Sequence, residues 1–143
     1  MNKIIVGFQK NLAPFLILVF MLFSYTAASA QQKDMIVRIS EIEIESDYLK
    51  EYKAILKEEA EASVRLEKGV ISIFPMYQKE NPTQVRILEI YESREAYESH
   101  LKTSHFQKYK TTTLKMVKSL KLIDMEAVDA ETMTKIFKKM RKK

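Results

Sequence analysis

The sequence predicts an α+β domain built on an antiparallel sheet, preceded by a cleavable leader and followed by a basic helix. Three observations predict it: segments rich in β-branched residues, one long segment with apolar residues at intervals of three and four, and a short polar turn between two strand segments. The chain has 143 residues, a formal net charge of +5, two histidines and no cysteine. Its length after removal of the leader fits one compact domain.

Residues 1–30 have the pattern of a secretory signal peptide. Two lysines precede the uninterrupted apolar run LAPFLILVFMLF at 12–23, and Ala28-Ser29-Ala30 is a small-x-small cleavage site. The run has about 12 residues, fewer than the roughly 20 that span a membrane, and an uncleaved anchor is the alternative. We expect a mature protein that begins near Gln31 and is periplasmic or secreted. Export makes nucleic acid an unexpected partner.

The first strand and a long helix open the mature domain. Residues 35–44, MIVRISEIEI, are β-branched and partly alternate, which predicts a strand. Ser46 or Asp47 is placed to cap the helix that follows, and Gly69 stands where a left-handed cap would end it. The apolar face of this helix is predicted to consist of Leu49, Tyr52, Leu56, Ala60 and Val64.

Residues 70–78 and 85–91 predict an antiparallel hairpin. The link between them, KENPT, is short and polar, and its Asn-Pro step favours a turn. Pro75 cannot donate a hydrogen bond to a neighbouring strand, which indicates an edge position or a bulge. Helices at 94–102 and 104–118 follow.

A last strand at 120–128 completes the order β-α-β-β-α-α-β, which is that of a ferredoxin-like fold with helices on one face of the sheet. The third strand carries apolar side chains on both faces, and such a strand is covered on both faces. We therefore expect two copies to pack sheet against sheet as a twofold homodimer.

The segment Glu89 to Phe106, EIYESREAYESHLKTSHF, resembles the antibiotic biosynthesis monooxygenase family. The family's pattern is an acidic and an aromatic residue at the end of a strand, a helix that carries a histidine, and then a small hydroxyl residue before His-Phe. The strand end Ile42-Glu-Ile44, the long first helix and Gly69-Val70 also match. The resemblance covers residues 35–128 and implies a dimeric α+β barrel with a pocket between helices and sheet.

The resemblance also implies an enzyme that acts on small molecules. Relatives include oxygenases of quinols or polyketide phenols that need neither metal nor flavin, haem-degrading enzymes, and isomerases of carbonyl compounds. We expect a cofactor-independent monooxygenase that oxidises a small aromatic, quinol-like substrate with O2. Such chemistry requires a base, an apolar box and a donor for the developing oxyanion. The alternative is a non-catalytic or isomerase-type barrel that binds a small aromatic or carbonyl ligand.

The predicted catalytic residues are the two histidines, because imidazole exchanges protons near neutral pH. His100 borders the apolar stripe of its helix and is placed to act as a general base, whereas His105 is placed to orient or stabilise an oxyanion. The structural alternatives are a partly buried histidine at 100 and a helix-start or dimer-seam residue at 105. The predicted substrate-binding residues are Tyr91, Phe106, Ser40, Glu89, Tyr97 and Tyr109.

Several of these residues have other interpretations. Tyr91 and Phe106 are aromatic residues for which the structural alternative is a place in the core. Glu89 lies on a largely apolar strand and is either a buried acid with a raised pKa or the partner of a base such as Arg86 or Lys121.

No metal or cofactor is expected from the sequence. His100 and His105 are five residues apart, a spacing that does not place both on one helical face, and no third ligand stands out. Haem-degrading relatives typically have an Asn on the first strand and a Trp ending the third. Here the first strand lacks Asn and Tyr91 replaces Trp, although His100 lies near the place of their helix histidine. One glycine after the leader excludes a glycine-rich phosphate loop.

Residues 129–143 form a separate basic segment. Met133, Ile136, Phe137 and Met140 are spaced as one face of a helix. We expect this helix to dock on its own domain or on the dimer partner. The alternative is a weak contact with an anionic membrane surface, for which the stripe is short.

Overall fold

The computed structural model describes residues 35–129 and 131–140. The predicted signal peptide lies outside these residues, so its cleavage stays a prediction. Within the described ranges, no helix combines the length and the apolar character that crossing a membrane requires. The elements are β1 (Ile36–Ile44), a 3-10 turn (Ser46–Tyr48), α1 (Leu49–Leu66), β2 (Val70–Tyr77), β3 (Gln84–Tyr91), α2 (Arg94–His100), α3 (Ser104–Thr113), a second 3-10 turn (Leu114–Met116), β4 (Val117–Met125) and α4 (Glu131–Met140).

The four strands form one antiparallel sheet in the order β2-β3-β1-β4. The two central strands, β1 and β3, are separated in sequence by α1 and β2, which is the split arrangement of a ferredoxin-like fold. The predicted fold class and element order are therefore confirmed. Pro75 pairs with Ile87 on the edge strand β2, so the predicted edge position is also correct.

The core lies between the helices and one face of the sheet. Its buried members come mainly from alternate positions of β1 and β3 and from one side of α1. They include Ile42, Ile44, Val85, Ile87, Tyr91, Tyr52, Leu56 and Ala60. Complete burial of an aliphatic or aromatic side chain stabilises a fold by about 1.5–3 kcal/mol. Two predicted details of α1 are wrong. Val64 is 48% exposed, and Ser63 is buried in its place; neither Ser46 nor Asp47 caps the helix, because a 3-10 turn precedes it.

Gly69 does not adopt the predicted left-handed conformation. α1 instead ends with Glu67 in an extended conformation. A Cβ atom at position 69 would lie 2.4 Å from the Cβ of Ala96, so glycine is required because α2 packs that closely against the start of β2. This close approach fixes the position of α2 against the sheet.

The C-terminal half differs from the prediction in its boundaries. α3 ends at Thr113 rather than at 118, a 3-10 turn follows, and β4 runs over Val117–Met125 rather than 120–128. Pairing with β1 decides this register, since Ile42 lies opposite Leu120 and Ser40 opposite Leu122. These pairs place both leucines on the helix-covered face of the sheet.

The other face of the sheet, which we call the outer face, is apolar as predicted for β3. Ile90 is buried at 3% exposure, while Phe74 and Met125 are 55% and 50% exposed. The homodimer that this face suggests stays a prediction. The C-terminal helix is observed as α4, with Ile136 52% exposed. The side chains of Phe137 and Met140 lie outside the described part, so their share of the predicted stripe stays a prediction.

Candidate active site

A cavity of about 450 Å³ lies between the helix-covered face of the sheet and helices α2 and α3. We call it the central cavity. All the predicted substrate-binding residues line it, and so does His100, whereas His105 is not among the lining residues. Three further charged residues that the sequence did not suggest also line it: Arg38, Glu59 and Lys110. The volume is within the roughly 300–1,000 Å³ of small-molecule sites.

His100 is deeply buried in the cavity wall, with 2% of its surface exposed. Its ring lies 5.4 Å from that of Tyr91 and 4.7 Å from that of Phe106. Nδ1 is 3.0 Å from Glu67 Oε1, and Nε2 is 3.8 Å from Glu59 Oε1. The two ring nitrogens therefore face different carboxylates, and only Nε2 faces one that lines the cavity.

Glu59 is a buried acid that sequence reasoning missed. It is 5% exposed on the core side of α1, and it accepts a 2.8 Å hydrogen bond from Ser63 Oγ. Burial raises the pKa of Glu59, and this effect outweighs the opposite influence of Ser63 and His100. A usable signal was present, because Glu59 is three residues after Leu56 and seven after Tyr52, on the same helical stripe.

His105 lies beside the cavity and contacts the same carboxylate as His100. Its Nε2 is 2.6 Å from Glu67 Oε1, and its side chain is 19% exposed. Thr103 makes this possible: its hydroxyl donates to the carbonyl of His100 and accepts from the N–H of Phe106. The turn thus sets the start of α3 against the end of α2. Glu67 is a third possible metal ligand beside the two histidines, which the sequence did not suggest. One ligand atom from each of the three residues lies within 4.8 Å of the others.

Glu89 is held by hydroxyl groups. Ser40 Oγ donates to its Oε1, and the hydroxyl of Tyr91 donates to its Oε2 at 3.0 Å. Arg86 pairs instead with Glu41, at 3.4 Å, so the suggested pairing with Glu89 is wrong. Burial and then the nearby Glu89 carboxylate raise the pKa of the Tyr91 hydroxyl, which keeps this group protonated and able to donate.

Arg38 supplies a positive charge at the β1 side of the cavity. Its Nε donates to Asp124 Oδ1 at 2.8 Å, and its guanidinium carbon lies 4.7 Å from the centre of the Tyr97 ring. It is 8% exposed. Strand alternation pointed to it, because Arg38 shares a face with Ser40 and Ile42 in β1.

Tyr109 closes the cavity on the side of α1. Its hydroxyl is 2.7 Å from that of Tyr52, which is fully buried. Burial raises the pKa of Tyr109 to about 12, so both phenols stay protonated near neutral pH. The cavity thus combines apolar and aromatic walls with a histidine, two carboxylates, one guanidinium and one lysine. Such a set can bind a ring-sized molecule, remove a proton from it and stabilise the anion that results.

Comparisons with known proteins agree with the observed fold. The family model described as antibiotic biosynthesis monooxygenase matches residues 35–112. A solved structure from Bacteroides thetaiotaomicron, of a protein assigned as an antibiotic biosynthesis monooxygenase, is 48% identical over 68% of this chain and 93% of that chain, with a TM-score of 0.68. A Lactobacillus acidophilus protein assigned as a monooxygenase is 26% identical, and the match covers 65% of this chain but 44% of that chain, with a TM-score of 0.63.

A more distant structure has the same fold. A Nitrosomonas europaea protein is 20% identical over 68% of this chain and 93% of that chain, with a TM-score of 0.63. At this identity the likeness concerns the fold alone. No curated protein matches the sequence.

Proposed function

The chain belongs to the antibiotic biosynthesis monooxygenase family, and on this premise we propose that it is a monooxygenase that oxidises a small, quinol-like aromatic substrate with O2. The reaction needs no flavin or haem. The observation that carries the proposal is the placement of His100, which is buried in the wall of the central cavity between two carboxylates, with one ring nitrogen on each side.

Glu67 determines which nitrogen of His100 acts as the base. A carboxylate is a hydrogen-bond acceptor, so its 3.0 Å contact places the proton of the neutral ring on Nδ1. The lone pair is then on Nε2, on the side of Glu59 and the cavity. This is the arrangement of a general base that is oriented by a neighbouring acid.

Removal of the hydroxyl proton starts the proposed reaction. The substrate anion is far more reducing than the neutral quinol and passes an electron to O2. One oxygen atom enters the ring and the other leaves as water, so the substrate itself supplies the electrons. Arg38 lines the cavity and keeps N–H donors besides the one that it gives to Asp124, and it is the group that stabilises negative charge on the substrate. The apolar walls exclude water while the substrate radical formed by this electron transfer is present.

Location and assembly are part of the same proposal. We propose that the mature protein acts in the periplasm or outside the cell, because residues 1–30 have the sequence pattern of a secretory leader. Its partner is a second copy that covers the outer face, where Phe74 and Met125 are exposed. The basic helix α4 docks on the dimer or, as the alternative, on a membrane surface.

Oxygen uptake by the purified protein tests the enzymatic proposal. A panel of hydroquinones and small phenols is compared with buffer alone, and with the variants His100→Ala and Val64→Ala. Val64 is exposed on α1 and does not line the central cavity. We expect uptake with at least one substrate, a decrease of about 10²–10⁴-fold in His100→Ala, and no change in Val64→Ala.

A folded protein that consumes no oxygen with any member of the panel contradicts the oxygenase proposal. Binding of the same compounds without turnover then favours the isomerase or ligand-binding alternative. Equal activity in His100→Ala and the parent protein removes His100 from its role as the base.

A further inference from the structure

We propose that Glu67, His100 and His105 form a binding site for a divalent transition-metal ion of the zinc type. The three residues come from the end of α1, the end of α2 and the first turn of α3. Glu67 Oε1 lies 3.0 Å from His100 Nδ1 and 2.6 Å from His105 Nε2, and the three ligand atoms all lie within 4.8 Å of one another. Two imidazoles and one carboxylate are a ligand set that zinc and its neighbours prefer.

The ligands are held in place before any ion binds. His100 is enclosed by the rings of Tyr91 and Phe106. The hydroxyl of Thr103 fixes the turn that joins the two histidines. Rigid placement lowers the entropic cost of assembling a site.

A fourth residue, Glu59, lies near the position of an outer-shell partner, at a distance from His100 Nε2 that exceeds a hydrogen bond. A histidine that binds metal through one nitrogen usually donates its other N–H to a carboxylate or carbonyl oxygen. His100 Nε2 faces Glu59 Oε1 at 3.8 Å, and Glu59 is itself held by Ser63. The Glu59 carboxylate, the His100 ring and the proposed ligand atom Nδ1 therefore follow one another in space.

Two hydrogen-bonding protons lie between the ligand atoms. Glu67 accepts one from each histidine ring. A metal ion replaces both, so binding releases protons and becomes tighter as the pH rises. His105 and Glu67 are 19% and 12% exposed, which leaves the cluster open to solvent on one side. A cation can enter there without passing through the central cavity.

The site has a consequence for the proposed reaction, and this consequence alone rests on the proposed function. An ion on Nδ1 leaves the remaining ring proton on Nε2, where it faces Glu59. His100 then has no lone pair to offer the substrate. Metal binding would therefore inhibit a reaction that uses His100 as the base, and removal of the ion would restore it.

Isothermal titration calorimetry with ZnCl2 tests the binding directly. The chain has only these two histidines and no cysteine, so the tag-free protein offers few competing ligands. We expect one ion per chain, tighter binding at neutral than at mildly acidic pH, and loss of this binding in both His105→Ala and Glu67→Gln. Glu59→Gln should weaken it by about 10-fold. The control is Glu58→Gln, which removes an exposed carboxylate from the same helix and should bind zinc like the parent protein.

Imidazole ¹⁵N resonances of the unmodified protein provide a measurement that does not depend on a variant folding. Zinc should shift the Nδ1 signal of His100 and the Nε2 signal of His105. The proposal is overturned by the absence of binding, by zinc that leaves both signals unchanged, or by equal binding in His105→Ala and the parent protein. None of these results bears on oxygen uptake, so the two proposals fail separately.

Discussion

Two cavities of nearly equal volume lie on the helix-covered side of the sheet, and they differ in the kind of residue that lines them. The central cavity measures about 450 Å³. A second one of about 470 Å³, which we call the side cavity, lies between α1 and the edge strand β2. Ile73 lines both. The charged residues that line the side cavity are Lys53, Lys57 and Glu61, all from α1.

The environment of the charged groups distinguishes the two cavities. In the central cavity Arg38, Glu59 and His100 are buried and are bonded to or face a charged partner, and Lys110 is exposed. In the side cavity Lys57 and Glu61 are exposed to solvent. Burial of charge is costly unless partners compensate it. A fold that keeps several such groups around one cavity is typical of a functional site, and volume alone does not indicate one.

Gly69→Ala should have the largest effect on stability, and it should disturb the central cavity but not the side cavity. The new Cβ would lie 2.4 Å from that of Ala96, so α2 must move, and α2 carries Tyr97 and His100 of the central cavity. We expect a loss of about 1–3 kcal/mol in the free energy of unfolding, measured in urea. The double variant Gly69→Ala/Ala96→Gly removes the clash and should recover part of the loss. Unchanged stability in Gly69→Ala would contradict the packing of α2 described above.

Tyr52→Phe should have the next largest effect. It removes one partner of the 2.7 Å bond between the hydroxyls of Tyr52 and Tyr109, beside the central cavity, and should cost about 1 kcal/mol. Adding Tyr109→Phe should cost less than the two single changes summed. The matched control is Tyr77→Phe in the side cavity, where the residue is 56% exposed and the change should be nearly neutral. Equal losses of unfolding free energy in Tyr52→Phe and Tyr77→Phe would show that the buried hydroxyl pair beside the central cavity contributes no more than an exposed tyrosine of the side cavity.

Glu59→Gln should change the pH dependence of stability. Burial raises the pKa of Glu59 in the folded protein above its usual 4.5. The parent protein therefore loses stability as the pH rises from the unfolded-state pKa through the folded-state pKa of Glu59. The glutamine of the variant does not titrate, so the variant has no such loss. The melting temperature of the variant relative to the parent should therefore increase from acidic to neutral pH. Glu58→Gln, on the exposed side of α1, serves as the control. If the melting temperature of Glu59→Gln relative to the parent stays the same from acidic to neutral pH, or decreases, the raised pKa of Glu59 is contradicted.

Lys53→Gln should have the smallest effect. The Lys53 ammonium lies 3.3 Å from the centre of the Tyr77 ring at the side cavity, and such exposed cation–π contacts contribute about 0.5 kcal/mol. Thermal unfolding should show a shift close to the error of the measurement. A loss as large as that of Tyr52→Phe would show that the side cavity is as tightly held as the central one.

The two cavities also differ in how well the sequence anticipated them. Ser40, Glu89, Tyr91 and His100 were found from a family resemblance and the periodicity of short segments, and all line the central cavity. Glu67 was missed because its role depends on two histidines that follow more than thirty residues later. Local periodicity carries no information on contacts at that separation in sequence.

The sequence by itself determined the element order, the hairpin and the edge position of β2. Each depends on side-chain alternation, helical spacing or the missing N–H of proline, which are local properties. Only the tertiary structure decided the register of β4, the close packing at Gly69 and the joining of two histidines through Glu67. These arise where separate elements meet, because strand pairing and packing between elements select one arrangement from several that local propensity permits.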